Sequence, residues 1–295
     1  MSVIIAHLAS AASLKVDHVT VAGHDLARLS RLFAQAGLPV EYGGKHSNGQ
    51  TEMALASFAD GSYLELIAPQ PGADASAHWW GKFMIGDAGP CAWAIATDDL
   101  PRDLDRFRAA GIAARSQKSG RRRPDGVELA WETATIGPEP QGSLFPFLIH
   151  DETPRERRVY PKNRPTLPEI SGAAYVVVAV RDLDHVIAQY RAAFGLPAPE
   201  IQPDAFLGAR LAIFRDAPVA LAAPAAADSW LATRLQKFGE APCALVLRSQ
   251  QAFPASAASK WGAEAVAWMA PERLDGARIG ILRSGPAGGR HESRP

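Results

Sequence analysis

The sequence predicts an α+β protein of four βαβββ modules, paired into two domains with curled mixed sheets. Three observations predict it. A strand-then-helix pattern recurs four times, helix start and stop residues fall at matched places within it, and the two halves correspond at a period of roughly 155 residues. The recurring segments are 17–38, 91–112, 174–196 and 243–263. Each reads as a short apolar run, polar residues, a helix-like stretch, then Gly and a small or aliphatic residue.

Each element follows from local chemistry. Runs such as Tyr175 to Val180 are rich in β-branched residues, as a largely buried strand requires. Asp25, Asp99 and Asp182 are placed to accept backbone N–H bonds at helix N-termini. Leu26, Leu29, Leu32, Phe33 and Ala36 recur at helical spacing, as do Leu183, Val186, Ile187, Tyr190 and Phe194. Gly37, Gly111, Gly195 and Gly262 fall where a left-handed residue ends a helix. Strands are then expected over 39–43, 53–58 and 63–68, with Asp60-Gly61 as a hairpin turn. The stretch 210–224 repeats the pattern of 54–69. Cys91 and Cys243 sit in matched contexts, GPCAWAI and APCALVL, each after a Trp-containing helical stretch.

The expected organisation is an N-terminal extension (1–15), a first domain of two modules (16–152), a linker (153–170), a second domain (171–283) and a disordered tail (284–295). The linker carries four prolines over 153–169, and its length suggests that it packs on a domain. The tail is Gly/Pro-rich and polar.

Bulk numbers narrow the function. The chain has 295 residues, enough for two cores, and 47% hydrophobic with 21% charged residues is a globular composition. A formal net charge of zero offers no electrostatic footprint for nucleic acid or an anionic membrane. Two cysteines make no disulfide scaffold, so a reducing, cytoplasmic compartment is expected. No P-loop, G-x-G-x-x-G or H-E-x-x-H pattern occurs. The partner expected is therefore a small molecule. Both cups could be supplied within one chain, and a homodimer in addition is compatible with the sequence.

Paired βαβββ modules, with Asp17-His18 opening the first strand and Glu65 in the last, resemble the vicinal oxygen chelate superfamily. The segment Gly43-Gly44-Lys45-His46-Ser47-Asn48-Gly49-Gln50-Thr51 is similar to the GG-x-H-x-x-G-x-T stretch of its glyoxalase-like type. The architectural likeness covers residues 16–283; motifs match over 17–69 and from Phe145 to Asp151. The resemblance implies two glyoxalase-like domains, in each of which two modules curl into an open cup with a divalent metal on the concave side. His18 and Glu65 match the family's ligand positions. An imidazole and a carboxylate suit Fe, Mn, Zn or Ni and leave positions open for a substrate with two adjacent oxygens. The activity implied is that of a metal-assisted lyase, isomerase or dioxygenase.

Several alternatives stand beside this reading. Glu65 could instead face water from a half-exposed strand, and His18 could be a satisfied core histidine. In the other modules Ala92 and Tyr175 align with His18, while Ala220 and a residue near Pro146 or Phe147 align with Glu65. Hence the second half is expected to be structural. A third ligand could come from His46, which could also act as general acid/base or bind substrate, or from His150. Substrate contacts are expected from His46, Thr51, Trp93 and His150. Trp79, Trp80 and Trp93 either line an apolar pocket or pack in cores. Arg121-Arg122-Arg123 reads as a solvated hairpin tip, with an anion-attracting lip over the cup as its alternative. The loss of ligands also supports a second function, metal-free binding or sequestration of a small molecule by the same fold.

Overall fold

The structure is a computed structural model that describes residues 14–283. Residues 1–13 of the expected extension and the expected tail 284–295 lie outside the described residues.

The first module comprises β1 (Val16–Ala22), α1 (Leu26–Gln35), β2 (Glu41–His46), β3 (Thr51–Ser57) and β4 (Tyr63–Pro69). A short α2 (Gly81–Ile85) leads into the second: β5 (Gly89–Ala96), α3 (Leu100–Ala109), β6 (Ala114–Arg122), β7 (Glu128–Ile136) and β8 (Phe147–Asp151). Their strands form a closed barrel in the order β1-β4-β3-β2-β6-β7-β8-β5. Two seams join the modules: β1 against β5, and the short pairing of β2 with β6 through Lys45 with Arg122 and His46 with Arg121. Gly44 makes the second seam possible. Its φ is +112°, and a Cβ there would lie 2.7 Å from the Arg122 carbonyl oxygen.

After α4 (Arg155–Val159) come β9 (Ile170–Ala179), α5 (Leu183–Phe194), β10 (Glu200–Asp204), β11 (Ala209–Phe214) and β12 (Val219–Pro224). Next are α6 (Trp230–Phe238), β13 (Ala241–Ser249), β14 (Ala257–Trp261), β15 (Glu264–Trp268) and β16 (Arg278–Arg283). These strands form one eight-stranded sheet with β10 and β14 at its edges. The fold is thus the α+β arrangement of two curled mixed sheets that the repeats predict.

The helix starts behave as expected: Asp25, Asp99 and Asp182 each accept a backbone N–H from three residues on. The fourth module corrects the sequence reading. No helix follows β13; the chain passes directly to β14, and Gly262, at φ +60°, turns the β14–β15 hairpin. The stretch from Gln250 to Ser259 lacks a run of long aliphatic residues at helical spacing, and Pro254 denies an interior N–H. The linker does pack on the first domain, as its length suggested: α4 carries Arg155 and Arg158 onto Asp17 and Asp151.

The outer face of the sheets and the helices enclose the main apolar core, which includes Phe33, Trp93, Phe107, Tyr190 and Phe194. The interior of the second sheet is filled by a separate cluster containing Tyr175, Leu211, Trp261 and Trp268. Arg234 of α6 joins the halves, donating to the carbonyls of Ala88 (2.5 Å), Pro90 and Pro242 (2.6 Å). No described helix is long and apolar enough to cross a membrane.

Candidate functional site

Strand register decides which side chains enter the first cup. On β1 the alternation sends His18, Thr20 and Ala22 inward, while Val19 and Val21 join the core beneath the helices. A register shift between Val16 and His18 interrupts this alternation at Asp17 and lets its carboxylate sit beside the His18 ring. On β4, Glu65 pairs with Thr20 and Tyr63 with His18, so both face inward too. His46 closes β2 opposite Arg121, and the two share the inner face at the barrel's second seam.

The result is a cavity of about 270 Å³. At its centre is Glu65, 5% exposed. One oxygen, Oε2, accepts from Thr20 Oγ1 at 2.9 Å and lies 3.6 Å from His18 Nε2; the other, Oε1, lies 3.6 Å from His46 Nε2. Both imidazoles are fixed from behind. His18 Nδ1 is 2.6 Å from Asp17 Oδ1, and His46 Nδ1 is 2.9 Å from Thr51 Oγ1. Since a carboxylate only accepts, His18 Nδ1 carries a proton and Nε2 is the ring nitrogen turned towards Glu65. Thr51 is itself held by Asn48, whose amide oxygen accepts the Thr51 N–H at 3.2 Å.

Beneath this layer lies a buried charge cluster. Arg158, 2% exposed, donates to both oxygens of Asp17 (2.9 and 2.8 Å), to both oxygens of Asp151 (2.5 and 2.8 Å) and to the Tyr63 hydroxyl (2.8 Å). Arg155 also donates to Asp17. Burial alone would raise the Asp17 carboxyl. The Arg158 charge and the hydrogen bonds from His18 and Arg158 outweigh it and hold the group well below its ordinary value. Burial likewise opposes the charge on Arg158, yet Asp17 keeps that guanidinium well above its usual value. Burial lowers His46, with Glu65 opposing and Arg121 and His18 adding to the fall, so the ring is neutral near pH 7. Desolvation takes His78 down to about 4. Its Nδ1 accepts the Trp80 N–H at 3.1 Å, which leaves the proton on Nε2.

His18, Glu65, His46 and Thr51 therefore converge. Two expected substrate contacts do not. Trp93 is fully buried on the opposite face of β5, among the core residues under the helices; Ala92 and Ala94 are the inward residues there. His150 sits between inward-facing Ile149 and Asp151 on β8 and bonds the Thr97 carbonyl at 3.0 Å, away from the cavity. Strand alternation excludes both. Arg121 is also corrected: it is no solvated tip but a 4% exposed side chain lining the cup, whereas Arg122 is exposed and pairs with Glu128. Trp79 and Trp80 do line the cavity, joined by Trp131.

The polar and aromatic lining residues that the sequence reading missed include Tyr63, His78, Trp131, Thr133, Gln141 and Arg158. The alternation of β7, with Trp131 and Thr133 in phase, gave a signal for those two. Register also identifies the second-module equivalents. The near-twofold about β1 and β5 relates His18 to Ala92 and Glu65 to Phe147. In the second domain, Ala220 pairs with Val177 as Glu65 pairs with Thr20, which equates Tyr175 with His18.

The donor chemistry of His18, His46 and Glu65, two imidazole nitrogens and a carboxylate, fits a divalent first-row cation. As the side chains stand they come together two at a time about Glu65. Among the described residues no set of three or more His, Cys, Asp or Glu side chains is arranged to hold an ion.

Comparison with known proteins adds the following. A family described as glyoxalase-like domain matches residues 16–175. No curated protein matches the chain. Among solved structures, a hypothetical protein from Staphylococcus aureus is 13% identical and aligns over 92% of this chain and 100% of its own at a TM-score of 0.62. Methylmalonyl-CoA epimerase from Mycobacterium tuberculosis is 22% identical over 40% of this chain and 91% of its own, at a TM-score of 0.34.

Proposed function

The chain belongs to the glyoxalase-like family, and from that premise we propose that its first cup is the active site of a divalent-metal-assisted enzyme. The reaction is of the lyase, isomerase or dioxygenase kind, on a small molecule with two adjacent oxygens. The observation that carries this reading is the pairing of His18 Nδ1 with Asp17 at 2.6 Å, which turns Nε2 towards Glu65. A carboxylate behind an imidazole is the arrangement that orients a metal-binding histidine and raises its basicity.

In this proposal His18 Nε2 and Glu65 hold the cation. When bound, it supplies Lewis-acid polarisation of the substrate oxygens. His46 does the proton transfer. The Thr51 hydroxyl, which accepts from Asn48 Nδ2 at 3.3 Å, can donate to His46 Nδ1 and so place the mobile proton on Nε2. His78 offers a second neutral N–H to the cavity. Tyr63, stacked on His18 at 4.7 Å between ring centroids, restricts the imidazole's tilt.

The test is elemental analysis of protein purified without chelator, repeated on His18→Ala and Glu65→Ala. Near-stoichiometric Fe, Mn, Ni or Zn, lost in both variants, is the expected result. Wild-type protein that neither retains nor takes up these metals on dialysis overturns it. The second reading then applies: a metal-free protein that binds or sequesters a small molecule. Ala92 and Phe147 at the second module's ligand positions favour that reading.

A further inference from the structure

Arg121 is the one guanidinium of the cup that lacks a carboxylate partner within salt-bridge distance among the described residues. Arg155 and Arg158 are satisfied by Asp17 and Asp151, and Lys118 at the rim pairs with Glu152 at 2.8 Å. Arg121 instead donates to two backbone carbonyls, those of Gly43 and, at 3.1 Å, Arg158. Those bonds use two of its five N–H donors and neutralise no charge. A buried cation without a direct ion-pair partner is costly, because it has given up hydration for only distant opposite charge. Burial accordingly depresses the Arg121 guanidinium, with Tyr63 and Glu65 opposing the fall and Arg158 and Arg123 adding to it.

Glu65 lines the same cavity, but its carboxylate faces His18 and His46 and no salt bridge joins it to Arg121. The lining also includes the aromatic rings of Tyr63, Trp131 and Phe147. A space of about 270 Å³ is of the size that takes a small organic molecule.

We propose that Arg121 is a specificity-determining residue and that the cup takes small organic carboxylates with an oxygen on the adjacent carbon, the carboxylate meeting Arg121 and that oxygen facing His18, Glu65 and His46. This rests on the reading of the cup as the active site and adds the charge of its ligand. A planar guanidinium matches a carboxylate through two parallel N–H bonds, which an ammonium cannot supply. With a divalent cation beside Glu65 the site would carry excess positive charge, which an anionic substrate would reduce.

The test uses two probes of similar shape and different charge: phenylglyoxylate, and the neutral 1-phenylpropane-1,2-dione. Their dissociation constants are measured by quenching of tryptophan fluorescence in the wild type, Arg121→Gln and Arg121→Lys, with the fold checked by circular dichroism. The wild type is expected to bind the acid at least about tenfold more tightly than the dione. That ratio should fall to near one in Arg121→Gln and be partly retained in Arg121→Lys. Should Arg121→Gln fail to fold, the wild-type ratio and Arg121→Lys still decide. Equal binding of acid and dione by the wild type, or a preference that survives in folded Arg121→Gln, overturns the assignment of Arg121 and leaves the cup as binding site. Binding of neither probe at about 10 mM overturns both.

Discussion

Asp17→Asn is the most informative single change, because this carboxylate supports both the buried arginines and the orientation of His18. In the wild type it is fully buried and receives Arg158 at 2.9 and 2.8 Å, Arg155, and the His18 ring at 2.6 Å. The substitution keeps the volume and removes the charge. Removing one partner of a buried ion pair costs roughly 3–5 kcal/mol. Asp151 still holds Arg158 with bonds of 2.5 and 2.8 Å, so the lower end applies, about 3 kcal/mol. At about 2–4 °C per kcal/mol for chains of this size, Tm should fall by roughly 6–12 °C in calorimetry at pH 7. The pH dependence adds a signed check. The Asp17 carboxyl is depressed when folded, so the native state binds fewer protons than the unfolded chain. Its stabilisation is complete above the unfolded value near about 3.9 and is lost as pH falls below that. The wild type should thus lose this contribution on acidification, and Asp17→Asn should show a flatter acid limb. A variant melting within about 2 °C of wild type, with an unchanged acid limb, refutes the account of the cluster.

Two further outcomes follow from the site. His78 is depressed to about 4 by burial, so its contribution is present above the unfolded value near about 6.5 and declines as pH falls from there towards 4. His78→Gln should flatten the stability profile over that interval, measured by denaturant titration at several pH values; an unchanged slope counts against a neutral, buried His78. Trp93→Phe removes a buried indole N–H that has no partner among the described residues and should change stability by no more than about 2 kcal/mol. It should leave phenylglyoxylate affinity unaltered, while Trp131→Phe weakens it; a weakening of about tenfold in Trp93→Phe would put that ring in the cup after all.

Much of this architecture is readable from the chain because its signals are local. The Asp caps, the apolar spacing of α1 and α5, and the left-handed glycines each depend on a few neighbouring residues. So does the hairpin at Asp60-Gly61. Where the local signal was weak the reading failed: after β13 the fourth module keeps its strands and loses its helix, because Pro254 and the scarcity of large apolar residues leave nothing to form and bury one.

The site divides the same way. His18 lies on β1 and His46, Thr51 and Glu65 on the hairpin-connected β2, β3 and β4, and alternation along β1 and β4 aims His18 and Glu65 inward. His150 and Trp93 were misassigned because a shift of one residue along a strand reverses the face, and the phase of β5 and β8 is fixed only by their pairing with other strands. The sequence by itself determined the repeated modules and the starts of α1, α3 and α5, and through the family resemblance it marked His18 and Glu65 as candidates. Only the tertiary structure decided that β2 meets β6 to bring Arg121 inside, that α4 returns to set Arg158 beneath Asp17, and that the second sheet fills its own interior. Those contacts join residues far apart in the chain, and their energies depend on burial and on charge neutralised across strands, which no stretch of sequence encodes alone.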